Sequence, residues 1–229
     1  CECEQKTDFT SIENLQELDC SSCSQLTSIP STLVNLKILD CGGCCRLTSI
    51  PFTLVNLKLL YCDNCSRLIS IPHTLVNLRA LHCTRCPLLN SIPLTLKNLQ
   101  VLFCSRCPRV PSIPPTLVNL QSLSCSNCPR LTSIPQTLVN LEELYCFDCP
   151  LLISIPRTLV NIKTLYCYNC PFVSLPQRYK HKRKSPLPSR GIRDALQRTR
   201  NKLARHSLLS LILNSFLLPP LIRLTTKLL

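Results

Sequence analysis

Apolar residues return at fixed positions every 21 residues along most of this chain. The unit at 57–77 shows the frame, which reads L-x-x-L-x-C-x-x-C-x-x-L-x-S-I-P-x-T-L-V-N. Eight Cys-x-x-Cys pairs keep this period, from Cys20 and Cys23 to Cys167 and Cys170. A strict period of this length is typical of stacked supersecondary units in a solenoid, where each unit buries its apolar face only against its neighbours.

The start of each unit predicts a short β-strand. Leu60 and Cys62 alternate with Leu59 and Tyr61, which is the period of two expected for a strand with one face toward a core. The Pro in each I-P step lacks a backbone donor and disfavours helical geometry before it, so the return segment should be extended or 3₁₀. The T-L-V-N stretch predicts a turn in which Asn tolerates a left-handed backbone and bonds locally.

The L-x-x-L-x-C-x-x-C-x-x-L stretch resembles the leucine-rich repeat consensus, with Cys where that family places Asn or Cys. The following S-I-P-x-x-L resembles the Ser-Leu-Pro segment of short bacterial, plant immune-receptor, amoebal and giant-virus repeats. The resemblance implies an α/β-type leucine-rich-repeat solenoid. In this fold a curved right-handed coil has a parallel sheet on its concave side and an extended or 3₁₀ convex side. It also implies protein binding as the default role.

Three segments are predicted from the change in pattern. Residues 1–176 should form the solenoid, with about eight full repeats and a truncated first one, 177–190 a basic linker, and 191–229 a short helical tail. The chain opens inside a predicted strand, without a Met or a capping segment. Because solenoid ends need polar caps, we expect the N-terminus to be truncated, with a further domain upstream.

Positive charge is concentrated after the repeats. Thirteen of the 26 Lys and Arg residues follow Pro176, against one acid, Asp194. The apolar run at 208–218 is shorter than the ~18–20 residues of a transmembrane helix. The favoured interpretation of the tail is a cap helix on the last coil. An interfacial segment on an anionic membrane is an alternative, as are a nuclear-localisation or nucleic-acid role and disorder, with nucleic acid the least favoured partner.

The cysteine pairs allow three interpretations. Their spacing matches a generic zinc pattern, and disulfides are a second possibility. A strict period gives no rule for pairing the ligands of a metal, however, so the sequence favours buried structural thiols, with no metal and no cofactor. Nineteen cysteines in columns spaced by ~4.8 Å would invite scrambled disulfides in an oxidising compartment. We therefore expect a reducing, cytoplasmic location, which the basic tail would shift toward a membrane periphery or the nucleus.

No nucleophile–base pair or phosphate-binding loop emerges, so the sequence argues against an enzyme. The informative positions lie between the frame residues, on the predicted concave face, where exposed apolar and aromatic side chains would mark a contact surface. The predicted protein-binding residues are Ile38, Leu59, Tyr61, His82, Val101, Phe103, Glu143, Tyr145, Phe147, Tyr166 and Tyr168.

Two functional classes remain open. The first is a monomeric interaction module with an unknown protein partner, such as a recruiter for a ubiquitin ligase or an immune-type receptor. The second is a scaffold held at a membrane or nucleic acid by its basic tail.

Overall fold

The computed structural model describes residues 14–171 and 177–180. The chain divides into two compact units, Cys1–Ser185 and Pro186–Leu229. The truncated first repeat and the helical tail predicted from the sequence lie outside the described residues. Within the described ranges, no helix has the length and apolar character needed to cross a membrane.

Eight three-residue strands form one parallel sheet whose order follows the chain. Every strand pairs with the next in the same register, so that Leu60 faces Leu81 and Leu81 faces Leu102. The solenoid predicted from the period and the parallel sheet implied by the resemblance are confirmed. The strands are β1 Glu17–Asp19, β2 Ile38–Asp40, β3 Leu59–Tyr61, β4 Ala80–His82, β5 Val101–Phe103, β6 Ser122–Ser124, β7 Glu143–Tyr145 and β8 Thr164–Tyr166.

Each coil contributes one apolar layer to a continuous core. In the coil that contains β3 this layer consists of seven side chains that are at most 4% exposed: Leu54, Leu57, Leu60, Cys62, Cys65, Leu68 and Ile71. Burying a Leu or Ile side chain stabilises the fold by about 1.5–3 kcal/mol. Because the same columns repeat in the neighbouring coils, every layer covers the next, and the frame residues of the sequence are the core.

The return segments consist of turns, with no helix in the described coils. In one coil the N–H of Leu54 donates to the carbonyl of Pro51, and the N–H of Leu57 donates to that of Leu54. The Asn of T-L-V-N does not bond locally as predicted. Asn77 Nδ2 instead donates to the carbonyl of Val55 in the preceding coil at 2.9 Å, and Thr74 Oγ1 donates to that of Phe52. Both bonds recur in later coils, so these two frame columns join coils together.

A third set of bonds comes from the second Cys of each pair. Cys107 Sγ donates to the carbonyl of Cys83 at 3.0 Å, and the same bond links coils from Cys44 to Cys170. The first Cys lies in the core beside the strand. The prediction that both columns are buried is confirmed from Cys41 to Cys149, while Cys20 and Cys170 at the ends are half-buried. No disulfide links two of the described cysteines.

The structure departs from the predicted linker at its start. Residues Gln177–Lys180 form a short helix, α1. Tyr179 in this helix is fully buried within the apolar core, and its hydroxyl donates to the carbonyl of Leu159. A basic, polar composition predicted a solvated segment here, but one aromatic ring is enough to hold the chain against the last coils.

Candidate interaction surface

The side of the sheet opposite the leucine core carries residues that differ from coil to coil. We define the outer sheet face as the first and third residues of each strand together with the residue after the first Cys of each pair. All the predicted contact residues lie on it. Ile38, Leu59, Val101 and Glu143 are first residues; Tyr61, His82, Phe103, Tyr145 and Tyr166 are third residues; Phe147 and Tyr168 follow the first Cys.

Aromatic rings on this face form two clusters. In the middle coils the ring of His82 lies 4.7 Å from that of Tyr61 and 4.5 Å from that of Phe103, centroid to centroid. Near the end of the sheet Tyr145 stacks on Tyr166 at 5.1 Å, and Phe147 stacks on Tyr168 at 4.7 Å. The parallel register places like residues of adjacent coils one strand spacing apart, so these contacts follow directly from the repeat.

The expectation that these side chains are exposed is wrong for most of them. Leu59, His82 and Val101 are buried, as are Tyr61, Phe103, Tyr145 and Tyr166, with Phe103 only 2% exposed and Tyr61 only 6%. Alternation along a strand correctly places a side chain on the face away from the core. It does not report lateral packing between strands, which removes ring surface from water. Ile38, Glu143, Phe147 and Tyr168 are half-buried and keep surface for a partner.

Carboxylates surround the second aromatic cluster. Glu143 accepts a hydrogen bond from Ser122 Oγ at 3.0 Å. Asp148 accepts from the side-chain amides of Asn127 and Asn169 at 3.0 and 2.8 Å. Burial, with smaller contributions from Glu143 and Tyr166, raises the pKa of Tyr145 to about 12. The phenol of Tyr145 therefore stays protonated at neutral pH and can donate a hydrogen bond.

Several polar side chains on this face have a structural task that the sequence did not reveal. The N–H of the residue after the first Cys bonds to a side-chain oxygen in coil after coil. Asp40 Oδ1 accepts from Gly42 at 3.0 Å and Asp63 Oδ1 from Thr84 at 2.8 Å. In later coils the hydroxyl of Ser105 takes this role for Ser126. The aspartates at this border are therefore engaged in holding the backbone of the turn.

A row of cations at the opposite border was also missed. Lys37, Lys58 and Arg79 each immediately precede a strand, so they lie side by side in three successive coils. Burial, followed by the charges of Arg79 and Lys37, lowers the pKa of Lys58. An alignment of the residue before each strand would have shown this row. We call these three residues the basic row.

In the described part of the chain, no three His, Cys, Asp or Glu side chains are arranged to hold a metal ion. Burial raises the pKa of Cys104, Cys125 and Cys146, which keeps these thiols in their protonated, unreactive form. What the surface offers is recognition chemistry: aromatic rings, carboxylates and cations on a rigid sheet.

Comparisons with known proteins agree with this architecture. The family model described as Leucine Rich repeats (2 copies) matches residues 13–54, and that described as Leucine Rich Repeat matches residues 119–141. No match was found among the curated proteins. Among solved structures, the leucine-rich repeat domain of the type III effector XopL is similar with a TM-score of 0.50 and 20% identity, over 72% of this chain and 70% of that domain.

Two plant receptors are more distant. The plant peptide hormone receptor RGFR1 in complex with RGF2 has a TM-score of 0.39 and 18% identity, over 71% of this chain and 37% of its own. The Arabidopsis receptor kinase HAESA, in complex with the peptide hormone IDA and the co-receptor SERK1, has a TM-score of 0.39 and 22% identity, over 73% and 39%. This chain thus spans less than two-fifths of either receptor chain.

The sheet, its sequential order and its apolar layers define a solenoid repeat protein with parallel strands. The matching family models identify leucine-rich repeats at residues 13–54 and 119–141, and the effector domain shares the leucine-rich-repeat solenoid fold. Arrays of this kind are in general protein-interaction modules rather than catalysts.

Proposed function

We propose that this chain is a protein-interaction module that contacts a protein partner through its outer sheet face. The observation that carries the proposal is that structural residues and variable surface residues occupy different positions within each coil. The frame residues are occupied by the core and by the bonds between coils, whereas the outer sheet face changes from Ile38 and Asp40 in one coil to Thr164 and Tyr166 in another. Solenoids use such extended surfaces for binding, and Tyr and Phe are enriched in interface cores.

The half-buried residues are the proposed first contacts. Phe147 and Tyr168 stack face to face, so a partner meets the edges of their rings and the hydroxyl of Tyr168. The buried rings beneath and beside them hold this surface in one shape, which reduces the entropy lost on binding. Phe147→Ala and Tyr168→Ala should each weaken binding of a partner by about 1–4 kcal/mol.

Site-specific photo-cross-linking tests the proposal directly. A photoreactive phenylalanine analogue replaces Phe147 in one sample and Phe52 in another. Phe52 is a matched control because it is aromatic and 68% exposed, yet lies on a return segment. We expect a protein adduct in cell extract from position 147 and none from position 52. Equal adducts from both positions, or an adduct from position 52 alone, would contradict binding through the outer sheet face.

A second proposal concerns location. Columns of thiols one strand spacing apart favour a reducing, cytoplasmic setting, and the basic residues after Pro176 favour attraction to an anionic membrane surface. The whole chain should then co-sediment with anionic vesicles at low salt and much less with neutral ones. Equal sedimentation with both vesicle types would remove the membrane from the proposal and leave the protein-binding function untouched.

A further inference from the structure

We propose that the basic row, formed by Lys37, Lys58 and Arg79, receives the carboxylate groups of an acidic segment in the protein partner. The inference rests on the proposed function and names the chemistry of the partner at one border of the outer sheet face.

The backbone holds the three cations in fixed positions. The N–H of Lys58 donates to the carbonyl of Lys37 at 2.7 Å, and the N–H of Arg79 donates to that of Lys58 at 2.8 Å. Neighbouring residues of the row are therefore separated by about one strand spacing, ~4.8 Å. Three positive charges thus lie within a span of roughly 10 Å, two strand spacings, which matches a short run of acidic side chains.

These charges lack neutralisation within the described part of the chain. There the sole salt bridge joins Lys163 to Glu142, at 2.8 Å. Lys163 has the same frame position as the basic row, so one coil shows how a carboxylate neutralises a cation at this place. Lys37 donates instead to the neutral amide oxygen of Gln16 at 2.8 Å. Burial, followed by the positive charges of Arg79 and Lys37, lowers the pKa of Lys58, and a bound anion would offset the repulsion among these charges.

The opposite border of the outer sheet face would orient an anionic ligand. Asp40 lies in the same coil as Lys37, and Asp63 lies in the same coil as Lys58. Each of these aspartates already accepts a backbone N–H. Lys37 and Asp40 are three residues apart, about 10 Å along an extended chain. Acidic groups of a partner are attracted to one border and repelled from the other, which fixes the direction in which the segment lies across the sheet.

The neighbouring side chains favour a peptide as the source of the anions. Each cation is followed directly by an apolar residue of the outer sheet face: Ile38, Leu59 and Ala80. Leu59 and Ala80 are buried, whereas Ile38 is half-buried and keeps exposed surface beside Lys37. A peptide that carries an apolar side chain next to its carboxylates contacts Ile38 and the basic row at once, whereas free phosphate or a nucleic-acid backbone would leave Ile38 uncovered.

Carbodiimide cross-linking on the full-length chain provides a test that is local to the row. This reagent joins a carboxylate to a lysine amine where the two are in contact. The probe is a short peptide of Glu and Leu, with a Gln and Leu peptide as the uncharged reference. We expect mass spectrometry to find Glu–Leu adducts on Lys37 and Lys58 at physiological salt. Arg79→Glu should lower their yield about tenfold, since like charge at a contact opposes binding.

Lys97→Glu is the matched control because it makes the same change in net charge at an exposed cation on a return segment. It should leave both adducts unchanged, and circular dichroism should show that both variants are folded. Absence of adducts on Lys37 and Lys58, or equal loss in both variants, would overturn the inference. So would suppression of the adducts by tripolyphosphate at concentrations where unlabelled Glu–Leu peptide does not compete, since the row would then select phosphate.

The two proposals can fail separately. Failure of the Glu–Leu probe, with photo-adducts from position 147 retained, would reject the acidic partner and keep the interaction module. Loss of photo-adducts, with probe adducts still present on the row, would reject the module as proposed and leave only an anion-binding border.

Discussion

The third residue of every Cys-x-x-Cys segment is the most constrained single position in a coil. Its backbone has a positive φ in every described coil, for example 62° at Ser22 in the first and 52° at Asn169 in the last. A four-residue β-turn with a positive φ at its third residue favours Gly and Asn there, because they tolerate a left-handed backbone best. Gly43 and Asn64 meet this requirement, but Arg85 and Arg106, with φ of 60° and 59°, do not.

We therefore expect Arg106→Asn to stabilise the fold. Left-handed geometry costs most L residues roughly 1–2 kcal/mol, and Asn should recover about half of that cost. The midpoint of urea unfolding should rise accordingly. Arg109→Asn is the control, because this exposed arginine has no positive φ. An equal rise in both variants would show that loss of positive charge, and not the backbone, is responsible.

The two cysteines of one pair have different chemical tasks, which leads to a second prediction. Cys107 donates to a carbonyl of the preceding coil, whereas Cys104 packs in the core as a small apolar group. At position 107 Ser should be tolerated better than Ala, since it keeps a donor. At position 104 Ala should be tolerated better than Ser, since a buried hydroxyl without a partner costs about 1–3 kcal/mol. Urea unfolding of the four variants measures this, and the same order at both positions would contradict it.

At the scale of strands and turns, periodicity predicted the elements whose positions are determined by burial in the core. Alternation and the 21-residue frame located all eight strands and every leucine column, because burial against the neighbouring coil demands the same residue in each unit. Interactions that run between coils were less visible. Two examples are the hydrogen bonds that Asn77 and Thr74 donate to the preceding coil and the lateral packing of Phe103 against its neighbours. Both depend on distances between adjacent coils. A pattern read along one strand does not contain those distances.

The sequence indicated the side of the sheet on which the proposed contact residues lie, but not how they pack. The sequence placed Tyr145 and Tyr166 on the correct face and missed both their burial and their stacking. It also overlooked the basic row, since Lys58 and Arg79 precede the strands and belong to no apolar pattern. Charge at such positions becomes informative only once the register shows which residues are neighbours.

For the whole molecule, the buried thiols should make the free energy of unfolding fall as pH becomes alkaline. Burial raises the pKa of Cys104, Cys125 and Cys146 above that of an unfolded cysteine, so the unfolded chain loses these protons first as pH rises. Stability is therefore full below the unfolded pKa and declines above it. Each such thiol should contribute a loss of about 1.4 kcal/mol one pH unit above the unfolded value of about 8.5.

Urea unfolding at pH 7 and at pH 9.5 measures this decline. Cys125→Ala should lower stability at pH 7 but make the difference between the two pH values smaller. A variant with an unchanged pH difference would indicate that other groups, such as the tyrosines, carry the effect.

The end of the array needs a cover, and Tyr179 is the residue that supplies one within the described chain. Its ring is fully buried with the core, and its hydroxyl bonds to Leu159 in the last complete coil. Stacked repeats transmit stability only through neighbouring interfaces, so loss of a cover on the last layer should weaken the last coils most and the distant coils least. Tyr179→Ala should lower the free energy of unfolding by about 3–5 kcal/mol, as for other large aromatic truncations.

Tyr179→Phe separates packing from hydrogen bonding, because it keeps the ring and should cost only about 0.5–1.5 kcal/mol. Gln177→Ala, an exposed change in the same short helix, is the control and should be close to neutral. Hydrogen exchange would locate the effect: in Tyr179→Ala, protection should fall first at the amides of Leu159 and Leu165 and last near Leu60. Uniform loss of protection, or an Ala variant as stable as the Phe variant, would show that the ring does not cover the array.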